Sequence, residues 1–313
     1  MPRAINRFRE LVASAGLRTA LARTTSRLFE VSGQRLQTAS RRLVNPAAMD
    51  ARLPVELAEQ LACNSAFRGK HNGERVVLLS SGESSARLDR NIISGRGVIA
   101  VNEMFGPVLR ERLSLAAIVI QDAAYFEGSP KSSKMLSDAA VAAHEADALV
   151  VLPADVARKR DVAKMLSPER TLTFFESGRA VYDLARPAHV LDMTRVIPSL
   201  PTVSHVALVA ALYLGYAEVS MLGVDLKYIS YPNSPVAHAY GQNPYLGALD
   251  ELTAAQAYLQ KGWTWPTVLR HVASQLEAYA WLAEGAVGQG HRIINLSRDS
   301  LLSTVSAIEQ AYI

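Results

Sequence analysis

Residues 202–225, TVSHVALVAALYLGYAEVSMLGVD, constrain the fold more than any other part of the chain. Val206, Leu208, Val209, Leu212 and Leu214 cover more than one face of a helix expected over residues 203–216, so that helix is expected to be buried nearly all round. It breaks at Gly215 and runs almost directly into an apolar strand expected over residues 218–223. A short apolar strand that ends on a polar residue, here Asp225, is the pattern of a central strand in a parallel sheet. Ligands of open α/β sheets bind beyond the carboxyl ends of the strands. Asp225 and the residues after it are therefore the first place to look for chemistry.

The rest of the chain repeats the alternation. Strands are expected over residues 75–80, 97–101, 115–121, 148–152 and 292–296, with two short possible ones over 171–175 and 189–193. Helical text lies between them, including a short helix over 85–91 and a Pro-interrupted one over 54–61. Strands alternating with helices predict an α/β fold, a Rossmann-like doubly wound and mostly parallel sheet. An N-terminal helical arm precedes the sheet, and a helical and loop lid over about 227–285 is expected above it.

Charge separates the arm from the remainder. Residues 1–45 hold nine arginines and two glutamates, a net charge of +7, whereas the remaining residues carry −3. Phe8, Leu11, Val12, Leu17, Leu21 and Leu28 recur at mostly helical spacing between those arginines. This reads as two or three amphipathic helices, and hence two domains, 1–45 and 46–313. The arm suits an accessory or oligomerisation layer, a peripheral contact with anionic head groups, or an import presequence. The mildly acidic remainder argues against nucleic acid as a partner. The longest apolar runs fall far short of the roughly 20 residues that span a bilayer. The single cysteine, Cys63, excludes an intrachain disulfide and fits a reducing compartment.

Candidate ligand-binding residues cluster at expected strand ends. After the first strand comes Ser80-Ser81-Gly82-Glu83-Ser84-Ser85, a turn whose glycine and small hydroxyls would let backbone amides approach a phosphate. It is neither G-x-G-x-x-G nor a Walker A loop; Gly82 to Ala86 resembles a nucleophile elbow with its last glycine replaced, and an ordinary turn capped by Ser84 is the plain alternative. Asn102 and Asp122 each lie just past a strand, where polar residues share one crevice. The loop 227–245 holds Tyr228, Tyr231 and His238, a set suited to a lid carrying a general base. His205, early in the buried helix, is either a packed or a ligand-binding histidine. There is no H-E-x-x-H, Asp-x-Asp pair or cysteine cluster, so no metal site is expected.

The segments VVLLSSGESSARLD, VIAVNEMFG, AAIVIQDAAYF and residues 202–225, in that order, resemble the Rossmann-like fold of bacterial sialyltransferases of glycosyltransferase family 42. They resemble still more closely the group that holds the flagellin-glycosylating motility-associated factors and the archaeal MptE-like pterin pyrophosphokinases. The resemblance covers about residues 75–125 and 200–297. In those sialyltransferases the first turn reads Gly-Asn-Gly-Pro-Ser-Leu and binds the nucleotide of a CMP-sugar. Gly82 and Ser84 match it, while the asparagine and proline are replaced. Asn102 matches the asparagine after the second strand, and Asp122 stands where the third strand's asparagine would be.

What the resemblance implies is an inverting glycosyltransferase. It would move a nonulosonic-acid-type sugar, sialic-acid-like or Kdo-like, from a CMP ester to a glycan or glycolipid acceptor. His238 would be the base, and Tyr228 and Tyr231 would contact the departing phosphate. Gly82, Ser84, Asn102, Asp122 and Ser204 would hold the nucleotide, with Asp225 and His205 in support. No cofactor is implied beyond the CMP-sugar substrate, magnesium being auxiliary at most. The implied setting is the bacterial cytoplasm at the inner face of the membrane, reached through residues 1–45, in a chain that could form a homo-oligomer. Two alternatives stay open: an MptE-like pyrophosphokinase using ATP and divalent metal, and a non-catalytic nucleotide-binding or scaffold protein.

Overall fold

The computed structural model describes residues 53–87, 90–126, 130–180, 192–226, 256 and 262–312. By packing, the chain divides at residue 45 into Met1–Asn45 and Pro46–Ile313. All of the first unit, and the residues of the expected lid loop that carry Tyr228, Tyr231 and His238, lie outside the described residues.

The second unit is built on an eight-stranded sheet. In chain order its elements are α1 (Val55–Cys63), β1 (Arg75–Leu79), α2 (Arg90–Ile93), β2 (Gly97–Val101), α3 (Phe105–Arg110), β3 (Leu115–Val119), α4 (Pro130–Glu145) and β4 (Leu149–Pro153). Then follow α5 (Ala154–Ala157), α6 (Arg160–Met165), β5 (Thr171–Phe174), β6 (Glu176–Ala180), β7 (Ile197–Ser199), α7 (Val203–Tyr213), β8 (Glu218–Leu222), α8 (Trp265–Gly288), β9 (Arg292–Asn295) and β10 (Glu309–Gln310). The spatial order is β10-β9-β8-β1-β2-β3-β4-β5, and β6 and β7 form a separate two-stranded ribbon. Every pair in the large sheet is parallel. The molecule is thus an α/β protein with a Rossmann-like doubly wound sheet.

Burial on both faces explains the unbroken apolar strands. In β1, β2 and β8 only the first residue of the strand departs from full burial, or none does. The chain walks from β1 to β5 in one direction and then returns to place β8 on the other side of β1. Right-handed crossovers put the helices of the outward walk on one face and α7 and α8 on the other. α7 packs on β1, β2, β3 and β8 and against α8. Residues 204–213 of α7 are all buried, which is why its apolar residues show no single stripe. The helix stops at Gly215, whose φ of +93° costs a glycine little, and the chain turns into β8.

Some elements differ from the sequence expectation. The strand expected over 189–193 is not one in its described part: Asp192 accepts the Thr194 amide and hydroxyl, a local turn that competes with strand pairing. Met193 is buried, but its carbonyl accepts from Asn64 Nδ2 at 2.6 Å rather than from a neighbouring strand. Asn64 also exchanges both backbone hydrogen bonds with Thr173 at the outer edge of β5, standing in for a further strand. The helix expected over 85–91 is a 3-10 turn (Glu83–Arg87) followed by the four-residue α2. The expected lid span includes α8, whose inner face from Val268 to Ala286 is part of the core. Among the described residues no helix is long and apolar enough to cross a membrane.

Candidate functional site

The reversal of strand order between β1 and β8 marks where a doubly wound sheet usually opens to its ligand. Here the two strand ends are tied together. The Gly82 amide donates to the Gly223 carbonyl at 2.9 Å. The Ser84 amide and hydroxyl donate to the two oxygens of Asp225 at 2.9 and 2.5 Å. Ser297, beyond β9, shares a 2.7 Å hydroxyl contact with Ser84, and both hydroxyls accept from the Gly223 amide.

Two glycines permit this approach. A Cβ on Gly82 would lie 2.4 Å from the Gly223 carbonyl oxygen, and one on Gly223 would lie 2.1 Å from that of Ser80. The amides of Gly82, Ser84 and Ser85 are all engaged within the protein. The turn therefore gives the Gly82 and Ser84 amides to the segment just after β8 and the Ser85 amide to its own Gly82 carbonyl, and Asp225, 5% exposed, is the acceptor that organises it.

The remaining polar groups at the carboxyl edge sit over β1, β2 and β3. The α7 N-terminus lies there, because the helix runs antiparallel to the strands and the Ser204 hydroxyl meets that of Ser80, just past β1, at 3.1 Å. The amides of Val203 and Ser204 donate to nothing among the described residues. They present the positive end of an eleven-residue helix dipole. Gln121, just past β3, donates to the Leu200 carbonyl in the approach to α7.

Asn102 lies between these two, at the end of β2. Its φ of 47° is left-handed, and its Oδ1 is buried without a hydrogen-bond partner. The next residue, Glu103, is buried and accepts from the Tyr125 hydroxyl, which joins the end of β2 to the turn after β3. Asp122 is exposed just past β3. Leu226 holds a φ of 54° at the end of the described part of β8's loop. A bulky residue in that region is rare, and strain of this kind gathers where function over-determines the backbone.

His205 belongs to the core beneath this edge. It is 0% exposed, stacks on Tyr279 with ring centroids 3.8 Å apart, and uses both ring nitrogens. Nε2 faces the Gln275 carbonyl at 3.1 Å and so carries the proton; Nδ1 then accepts from the Thr202 hydroxyl at 2.7 Å. Burial lowers its pKa to about 3, so the imidazole is neutral. The arrangement is that of a packing residue which orients the N-cap of α7. The Tyr279 hydroxyl is buried beside Thr202 and Ser204 without a hydrogen bond of acceptable geometry, and burial raises its pKa.

The structure thus gathers Asn102, Asp122 and Ser204 along one edge and places Gly82, Ser84 and Asp225 together at its side. Two residues absent from the sequence reading join them. Glu176, the first residue of β6, accepts from Gln121 Nε2 and from the Leu200 amide, both at 3.0 Å. Burial holds its carboxyl above the usual carboxylate range, opposed by those two hydrogen bonds. Gln121 was legible as part of the strand end before Asp122. Glu176 was not, because a short parallel ribbon of polar sequence (ESGRA) carries no strand period. Among the described residues no three His, Cys, Asp or Glu side chains gather into a group that could hold a metal.

The fold is that of a Rossmann-like α/β protein, with polar groups gathered at the carboxyl edge of β1 to β3 where α7 begins. No protein-family pattern matches the chain, and no curated protein matches it. Among solved structures, it is similar to one described as a MAf glycosyltransferase from Magnetospirillum magneticum AMB-1, with a TM-score of 0.42 and 13% identity. That likeness covers 96% of this chain but only 42% of the other, so the chain spans under half its length. A likeness at that level carries nothing about activity.

Proposed function

We propose that the chain is a glycosyltransferase that uses a nucleotide-sugar donor, and more narrowly an inverting enzyme acting on a CMP-linked nonulosonic-acid-type sugar. The observation that carries the reading is Asn102. A left-handed asparagine whose Oδ1 is buried without a partner is held at the end of β2, at the same edge of the sheet as the unused amides of Val203 and Ser204. An amide side chain offers both a donor and an acceptor to a base or ribose, and the helix N-terminus suits an anionic group of the donor. The motif order around residues 75–125 and 200–225 supports the CMP-sugar class.

In this reading Asn102, Asp122 and Ser204 hold the nucleotide, with the Gly82–Ser84 turn as a side wall. An acceptor hydroxyl attacks the anomeric carbon from the face opposite the phosphate. The carbon–oxygen bond to the phosphate breaks, CMP departs with the bonding electrons, and His238 takes the acceptor's proton. Tyr228 and Tyr231 donate to the departing phosphate. The acceptor is a glycan or glycolipid, and the basic residues 1–45 keep the enzyme near an anionic membrane surface on the cytoplasmic side.

A thermal-shift comparison tests the nucleotide. CMP at a hundredfold excess over its dissociation constant should stabilise the protein by about 2.7 kcal/mol. Stabilisation by ATP with magnesium and not by CMP would instead favour a pyrophosphoryl transferase. No response to either would leave the fold as a non-catalytic scaffold. A His238→Ala protein with undiminished transfer would remove the assignment of the base.

A further inference from the structure

Glu176 is a half-buried carboxylate with an unusual division of labour. Both of its hydrogen bonds, from Gln121 Nε2 and the Leu200 amide, arrive at Oε1 at 3.0 Å. Oε2 makes no hydrogen bond among the described residues, and no Lys, Arg or His of that set pairs with the group. Oε2 is not among the sealed, unpartnered oxygens, so it is open to solvent and to a bound molecule. A partly desolvated carboxylate with one oxygen anchored by two donors and the other accessible is held ready to accept a hydrogen bond from a bound molecule.

Its location narrows the occupant. Leu200 lies two residues before Thr202, the N-cap of α7, so the amide that holds Oε1 at 3.0 Å is within about 7 Å of chain from that helix end. Gln121 donates to both Glu176 and Leu200 and so ties the end of β3 to the same point. The helix end, with its unpaired amides, favours an anion. The carboxylate beside it repels one. A ligand whose anionic part lies at α7 would therefore have to offer Oε2 a neutral, donor-bearing part. A nucleotide-sugar has that composition, a phosphate joined to a ring of hydroxyls or acylated amines.

We propose that Glu176 is a specificity-determining residue, its Oε2 accepting a hydrogen bond from a hydroxyl or amide N–H of the donor's sugar, with Gln121 as its positioning residue. This rests on the nucleotide-sugar reading above. Glu176→Gln isolates the claim, because Oε1 keeps both of its donors while the free oxygen becomes an NH₂ group. The wild type and the variant are titrated calorimetrically with CMP and with CMP-N-acetylneuraminic acid as probes. The expected result is CMP affinity unchanged within about twofold and CMP-sugar affinity reduced about 10- to 100-fold, the loss of one charge-assisted hydrogen bond. Gln121→Leu should move in the same direction, because the carboxyl loses its tether. Equal affinity of both proteins for the CMP-sugar overturns the proposal and leaves the nucleotide reading standing, as does an equal loss for both probes. A wild type that binds neither probe overturns the reading and this inference together. If Glu176→Gln does not fold, Glu176→Asp, which withdraws the carboxylate by one methylene, is held to the same pattern.

Discussion

Replacing Asn102 by glycine should make the protein more stable and less able to bind its ligand. Asn102 holds φ at 47°, a conformation that costs a side-chain-bearing residue about 1 kcal/mol, somewhat less for asparagine than for most. Its Oδ1 is buried without a partner, which costs about 1–3 kcal/mol of lost hydration. Glycine removes both penalties, while the added freedom of the unfolded chain returns about 0.5–1 kcal/mol. The net gain is about 1 kcal/mol, or about 2–4 °C in melting temperature for a domain of this size. Asn102→Ala separates the two contributions. It removes the orphaned oxygen but keeps a Cβ in the left-handed region, so its stability should fall between those of the wild type and the glycine variant. Urea denaturation of the three proteins, alongside CMP titration, reads both axes. Both variants should lose CMP affinity by tenfold or more. A glycine variant destabilised by more than about 1 kcal/mol would mean that the asparagine makes a contact the fold needs. Unchanged CMP affinity would remove it from the site.

Gly223→Ala should destabilise by about 3 kcal/mol or more in the same assay, since its φ is +81° and the new methyl would meet the Ser80 carbonyl oxygen at 2.1 Å; a loss under 1 kcal/mol would mean the tie between β1 and β8 can open cheaply. Glu218, 5% exposed, pairs with Arg96 at 3.2 Å and Arg292 at 2.7 Å at the opposite edge of the sheet, so Glu218→Ala should cost about 3 kcal/mol by leaving Arg96 without its anion. Little change on denaturation would show that water reaches Arg96. For His205 the folded pKa of about 3 lies below the unfolded value of 6.5, so its neutral form is favoured by folding. Its contribution is complete above pH 6.5 and is lost as pH falls toward 3, at up to about 1.4 kcal/mol per pH unit. Between pH 6.5 and 5 the wild type should lose about 1.6 kcal/mol more than His205→Asn, and parallel curves would mean the imidazole protonates in the fold.

The sheet was legible because its strands are buried on both faces, and runs such as GVIAV and LAAIV announce that without help from context. The buried α7 was legible for the same reason. The ribbon of β6 and β7 was not, since its pairing is decided by what packs around it and its polar sequence shows no period. Asn102 could be placed by its position after β2, but its backbone conformation and its unpaired oxygen are properties of the packed edge. His205 illustrates the limit from the other side. A histidine near a helix start reads equally as ligand or filler until the Gln275 carbonyl and the Tyr279 ring are seen to occupy it.

The largest departure concerns the opening stretch and the glycine-serine turn, whose amides the sequence suggested for a phosphate. They are bonded to each other. Gly82 and Gly223 are small because each backbone must come within hydrogen-bonding distance of the other strand's end, and Asp225 accepts the two Ser84 donors that a phosphate would otherwise have met. A glycine between strand and helix signals close backbone approach, but sequence does not say to what. With the two strand ends bonded to each other, the unpartnered Asn102 oxygen and the open amides at the start of α7 remain at the carboxyl edge over β1 and β2. Asn102 then stands out at this edge because it combines a left-handed backbone with a buried oxygen that no group of the protein meets, which a ligand could complete.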